Sequence, residues 1–133
     1  MNIRVLTPTR VICSTTSDEV ILPGLTGLIG VLEGHASLIS CLDIGLLRIK
    51  VDEKWTPIIL CGGVVEIDRN RVTVLANNVE EIDISDLNLN KATQRVEKAT
   101  LELEIAETSK AKLDASLELK KAVALLDAAK LFS

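Results

Sequence analysis

All seven glycines and all three prolines of this 133-residue chain lie at or before Gly63, and none lies after it. Gly and Pro punctuate turns, and a helix interior tolerates them worse than any other residues. The asymmetry divides the chain. Its first part reads as short strands broken by turns, and from about Asp86 to Leu131 it can run as helix almost without interruption. The expected architecture is α+β: an antiparallel β-sandwich over residues 1–85, followed by an antiparallel two-helix hairpin over residues 86–133. Such a plan suits a part that sits on one partner and reaches for another better than it suits an enzyme.

A hydrophobic content of 47% with 26% charged residues is that of a globular chain. No apolar run approaches the roughly 20 residues needed to cross a bilayer. The opening residues, Met1 to Leu6, read as a strand, with no signal or transit peptide before them. The chain is therefore expected to be made where it works or to have lost a presequence. One Trp, one Phe and no Tyr leave an aliphatic core and no aromatic platform for nucleobases. Up to Ser85 there are seven Lys/Arg against eleven Asp/Glu, and beyond it eight of each. Neither half is a basic footprint, so no nucleic-acid partner is expected.

Cys13, Cys41 and Cys61 are far apart, each among apolar neighbours, and the single His35 cannot complete a Cys/His zinc set. They read as small buried hydrophobes in a reducing compartment. Gly27, Gly30 and Gly34 have the spacing G-x-x-G-x-x-x-G, which fits neither the dinucleotide fingerprint nor the P-loop. They read as turn and bulge glycines, and His35 as a turn histidine bonded to nearby backbone. No catalytic residue, cofactor or metal is implied.

Short β-rich runs follow one another: Ile3–Leu6, Asp18–Leu22, Leu28–Leu32, Leu46–Val51 after Gly45, and Trp55–Leu60 ending at Gly62-Gly63. The clearest hairpin alternates Val65 and Ile67 with Glu66 and Asp68, then Val72 and Val74 with Thr73, around Asp68-Arg69-Asn70-Arg71.

The tail carries a stripe Leu89, Ala92, Val96, Ala99, Leu103, Ala106, falters at 108–112, and resumes as Ala115, Leu119, Ala122, Leu126, Ala129. Steps of three and four make one helix seam. Ser85 is the expected N-cap, with Asp86 in the first turn. An alanine-rich seam permits close approach but buries little area, so the pair is marginal alone. Either a switchable element or a constitutive coiled-coil handle follows from that.

The run Gly27-Leu28-Ile29-Gly30-Val31-Leu32-Glu33-Gly34-His35-Ala36-Ser37-Leu38 resembles the G-x-(I/L)-G-(V/I)-(L/Y)-P-(G/N)-H-A-P-L signature of the epsilon subunit of F-type ATP synthases. The likeness continues through Asp43-Ile44-Gly45, Trp55, Gly62-Gly63 and Val72-Thr73-Val74-Leu75, and is nearer the plastid version. Glu33 and Ser37 stand where the family usually has proline. The resemblance implies a non-catalytic central-stalk subunit that couples rotation to ATP synthesis and restrains hydrolysis. It implies docking on the gamma subunit and the c-ring through Gly27, Leu28, Gly30, Gly34 and His35. It also implies contact of Lys120 and Lys121 with the alpha and beta catalytic subunits. Those lysines replace an Arg pair, and Lys is the poorer bidentate partner. The implied place is the stromal side of the thylakoid, or the cytoplasmic side of a bacterial plasma membrane, with membrane association only through the complex. An ATP motif of some bacterial members falls on Ile82-Asp83-Ile84-Ser85-Asp86-Leu87, where Asp86 replaces its Arg. From the residues alone two other classes stand beside this one: a scaffold with an unrelated sandwich, and a thiol hydrolase pairing Cys41 or Cys61 with His35. Co-purification with gamma separates the first, and alkylation of the native thiols the second.

Overall fold

The computed structural model describes residues 1–132. The chain forms two compact units, Met1–Glu81 and the part from Ile82 onward. The first unit holds eight strands: β1 (Asn2–Leu6), β2 (Val11–Thr16), β3 (Glu19–Gly24), β4 (Gly27–Leu32), β5 (Leu38–Val51), β6 (Lys54–Asp68), β7 (Arg71–Ala76) and β8 (Val79–Glu81). Their order is β2-β1-β7-β6-β5-β3-β4, with β8 also on β6. All neighbours are antiparallel except β1 and β7, which run parallel. That exception to the antiparallel expectation has a simple cause. Alternating residues say which face is buried but not which way the neighbouring strand runs.

Two strands are far longer than expected. β5 has 14 residues and β6 has 15, and they pair from Leu38↔Ile67 to Val51↔Lys54. Gly45 and Gly62-Gly63 do not end strands; they lie inside them. The buried positions explain what these glycines do. In β6 the inward residues are Ile58 and Leu60 before the glycine pair and Val65 and Ile67 after it. The alternation changes phase. In β5 it changes between Leu42 and Leu47, and along β7 and β8 between Ala76 and Val79. β8 continues the line of β7, joined by Asn77 N–H to the Gly62 carbonyl (3.0 Å) and Cys61 N–H to the Asn78 carbonyl (2.9 Å). Three adjacent strands thus turn over on one line through Asp43, Gly62 and Asn77. Strands that switch layers at such corners make a sandwich from a single sheet. Between the layers one aliphatic cluster is sealed, containing Ile3, Val5, Val20, Leu22, Leu47, Ile49, Val65, Ile67, Val72 and Val74.

The two-residue turn at 69–70 forms where the pattern placed it, with φ of 50° at Arg69 and 60° at Asn70. A second such turn joins β5 to β6 through Asp52 (φ 50°) and Glu53 (φ 66°). Turns with two positive φ angles match sheet twist and favour Gly at the second position. An L-residue there costs about 1–2 kcal/mol, part of which a glycine gives back as unfolded-chain entropy. The Lys50–Glu53 ion pair, at 3.8 Å with Glu53 exposed, offsets little of this. Glu53→Gly should raise stability by about 0.5–1 kcal/mol in urea unfolding. A fall in the midpoint would show that Glu53 makes a contribution beyond the turn.

In the second unit Asp83 caps a single 3-10 turn, Ile84–Asp86, and the helices are α1 (Leu89–Ile105) and α2 (Ser109–Phe132). Ser85 is not the N-cap of α1. Asn88 is, its side chain accepting from Lys91 N–H at 3.1 Å. Asp83 takes the Ser85 N–H and hydroxyl at 3.0 and 2.7 Å, so a local Asx turn competes successfully with helix extension. Thr108 caps α2 by accepting from Ala111 N–H at 3.0 Å. Buried alanines recur at intervals of seven, Ala92 and Ala99 on α1, Ala115, Ala122 and Ala129 on α2. Arg95 and Glu118 bridge the pair at 2.9 Å. Leu89, expected in the seam, is exposed at the first helical position. Among the described residues no helix is long and apolar enough to cross a membrane.

Candidate functional site

β4 is an edge strand. Its inward residues are Ile29, half-buried against the core, and Val31, fully buried. The outward row is therefore Leu28, Gly30 and Leu32, with the two leucines 66% and 59% exposed. Single exposed leucines are ordinary, but two flanking a glycine on a free strand edge form a flat apolar strip. The three glycines of the motif differ in what the fold asks of them. Gly27 (φ 142°) and Gly34 (φ 81°) occupy conformations that side chains resist. Gly30 does not, and a Cβ added there would meet nothing within 4 Å. The fold has no need of a glycine at position 30.

The resemblance assigns docking to Gly27, Leu28, Gly30, Gly34 and His35, and the fold distributes them over two local structures. Gly27, Leu28 and Gly30 belong to β4, while Gly34 and His35 lie in the turn beyond its far end. The six extended residues of β4 span roughly 20 Å, so the five line a strand and its exit.

The exit turn is tied at nearly every residue. His35 N–H donates to the Leu32 carbonyl at 3.2 Å, and the His35 ring Nδ1 bonds the Ala36 carbonyl at 2.6 Å. His35 is thus the turn histidine that the sequence indicates. Gly34 N–H donates to Asn70 Oδ1 at 2.8 Å, and Ser37 Oγ donates to Asp68 Oδ1 at 3.1 Å. Glu33 Oε1 accepts from the Met1 ammonium at 3.3 Å. Both positions where the resembled family has proline, Glu33 and Ser37, carry a tie instead. Sequence reasoning missed Asp68 and Asn70 in this role, because a hairpin signal identifies a turn without saying what its tip touches.

On α2, Lys120 is exposed and Lys121 half-buried, and consecutive helical residues point about 100° apart. They do not form one patch. Lys110 and Lys112 are exposed nearer the start of the helix. Cys41 is exposed, contrary to the expectation of three buried thiols, because it lies on the outward face of β5 opposite Val64. Cys13 is half-buried, and burial pushes its thiol pKa up, away from the reactive thiolate. Among the described residues no cluster of His, Cys, Asp or Glu could hold a metal ion. In the stretch compared with the ATP motif, the Ser85 hydroxyl and then its N–H lower the Asp83 pKa.

The sandwich with a following helix pair defines the class of protein. The description "ATP synthase, Delta/Epsilon chain, beta-sandwich domain" matches residues 1–82. Chloroplastic ATP synthase epsilon chains of Trieres chinensis and Phaeodactylum tricornutum are 74% and 70% identical over 127 and 128 residues. Each alignment covers 96% of this chain, with 94% and 95% of the relatives. That of Pylaiella littoralis is 48% identical, over 98% of this chain and 97% of its own length. A chain in the Euglena gracilis mitochondrial ATP synthase structure (OSCP/F1/c-ring) shares the fold at a TM-score of 0.75. It is 15% identical, with 95% of this chain and 79% of that one covered. A central stalk/c-ring chain of the Tetrahymena thermophila mitochondrial enzyme gives 0.62 at 14% identity, covering 97% and 96%. The chain belongs to the delta/epsilon family of ATP synthase subunits, among epsilon chains of the chloroplast type.

Proposed function

We propose that this chain stands at the foot of the central stalk of a plastid ATP synthase, on the stromal side of the thylakoid. Residues 1–85 dock on gamma and the c-ring, and residues 86–133 restrain ATP hydrolysis. The observation that carries the docking role is the strip Leu28-Gly30-Leu32, where an exposed edge strand is flat and apolar at a position its own fold leaves open. A neighbouring backbone can approach closely only where no side chain intervenes. The subunit itself performs no chemistry; it transmits torque and holds position.

The regulatory role rests on the tail. Its alanine seam buries little area per residue, so the hairpin is held by a small free-energy margin and can be rearranged by a partner. Lys120 and Lys121, on separate faces of α2, offer charge to two acidic surfaces rather than to one. Exposed pairs are worth about 0.2–1 kcal/mol each, and more when partly desolvated at an interface. Reconstitution with an epsilon-depleted complex tests both roles. Wild-type chain should capture gamma and lower hydrolysis. Lys120→Glu with Lys121→Glu should still capture gamma and raise hydrolysis about threefold over wild type. High salt should reproduce part of that rise, since screening acts over about 10 Å at 0.1 M. Normal assembly with unchanged hydrolysis would leave the hairpin as a passive handle, and failure to capture gamma would remove the docking role.

A further inference from the structure

We propose that the tip of the β6–β7 hairpin, through Asn70 and Asp68, is the positioning element for the Gly34–Ser37 turn. The proposal rests on the docking reading above, and names what holds part of that surface in shape.

Residues 34 to 37 leave the edge strand with little backbone support. Gly34 sits at φ 81° and the turn has one backbone bond to β4, from His35 to Leu32. Left to itself, a segment with a glycine hinge and one such bond samples many conformations. Two bonds from a remote hairpin restrict it. Asn70 Oδ1 receives the Gly34 N–H, and Asp68 Oδ1 receives the Ser37 hydroxyl, so both ends of the turn are fastened to the same end of the β6–β7 hairpin. The tip is itself fixed. Asp68 pairs with Arg71 in the ladder, and the Asn70 carbonyl accepts the Asn2 N–H at 2.9 Å. Asn70 therefore bridges the N-terminal strand and the turn. Asn also tolerates its φ of 60° better than most residues, so one side chain serves both the hairpin and the clasp.

The consequence is a division of labour between stability and binding. Asn70→Gly keeps the residue type that the hairpin turn most favours while removing the bond to Gly34. Ser37→Ala removes the other bond at an exposed site. In Asn70→Gly the favourable glycine of the turn offsets the lost bond, and the bond lost in Ser37→Ala is exposed, so folding should change little, yet both free the turn. On the full-length protein, the Gly34 amide should exchange about tenfold faster in Asn70→Gly. Dissociation from an immobilised gamma–c-ring subcomplex should quicken about threefold in each variant and about tenfold in the double variant, the scale of one or two net hydrogen bonds. Melting curves should coincide with wild type, and Ser37→Thr, which retains the hydroxyl, should restore the wild-type dissociation rate. Unchanged Gly34 exchange would show that the clasp does not order the turn. Faster exchange with unchanged dissociation would show that the turn's order is irrelevant to docking. Either result overturns the proposal. Failure of the wild-type protein to bind the subcomplex would instead overturn the docking reading, and the positioning role with it.

Discussion

Gly30→Arg should melt within about 0.5 kcal/mol of wild type and bind the gamma–c-ring subcomplex at least about a hundredfold more weakly. The two halves of that expectation come from different facts. A Cβ at position 30 meets nothing within 4 Å, and the backbone there is not in a left-handed conformation, so no clash or strain opposes the change. Glycine inside a strand is intrinsically poor, so any other residue tends to stabilise β4. The loss of binding comes from the opposite side of the same strip. Between Leu28 and Leu32 the arginine would hold a partner's backbone away and place a charge in an apolar contact. An unpaired charge desolvated at an interface costs several kcal/mol. Gly30→Ala should fall between the two, since a methyl group adds bulk without charge. Calorimetric melting and surface binding kinetics on the three proteins check the series. Full binding by Gly30→Arg would show that the strip faces solvent in the assembled enzyme.

Gly63→Ala should cost about 3–5 kcal/mol and lower the sandwich's urea midpoint sharply. Gly63 has φ of 149°, and a Cβ there would overlap the Leu75 carbonyl oxygen and stand 2.9 Å from Ala76 Cα. Both obstacles are backbone, on the strand β7 that pairs with it. Relief would require separating β6 from β7 where three strands turn over. Against a typical total of about 5–15 kcal/mol, the loss is a large share. Gly62→Ala is the control. Its φ is 83°, but the nearest atom to an added Cβ is the Asn77 amide nitrogen at 3.2 Å, a side chain able to swing away. That change should cost about 1–2 kcal/mol. Urea midpoints of the two variants settle the order, and Gly62→Ala emerging as the worse would disprove the corner geometry described here.

Residues near one another in the chain determined much of this protein. The confinement of Gly and Pro to residues before position 64 fixed the two-part plan. Alternation around Asp68–Arg71 placed a hairpin correctly, and alanines at seven-residue intervals placed the helix seam. These are local signals, carried by periods of 2 and about 3.6 residues. The long strands were illegible for the same reason that the hairpin was plain. When β5 and β6 turn over, their alternation changes phase, and a phase change beside glycine reads like a strand end. The parallel pairing of β1 with β7 brings together residues about 69 positions apart, from Asn2↔Arg71 onward, and no local pattern encodes it. Likewise Ser85 had every property of an N-cap, but Asp83 and Asn88 divided the task between a 3-10 turn and the helix proper. At the candidate site, the motif supplied the residue types. Only the tertiary structure decided that Gly30 is free of any demand from its own fold, and that Gly34 and Ser37 are held by a hairpin more than 30 residues away. Backbone conformation is set by neighbours in sequence, but what a surface offers to a partner is set by which distant strands the core brings beside it.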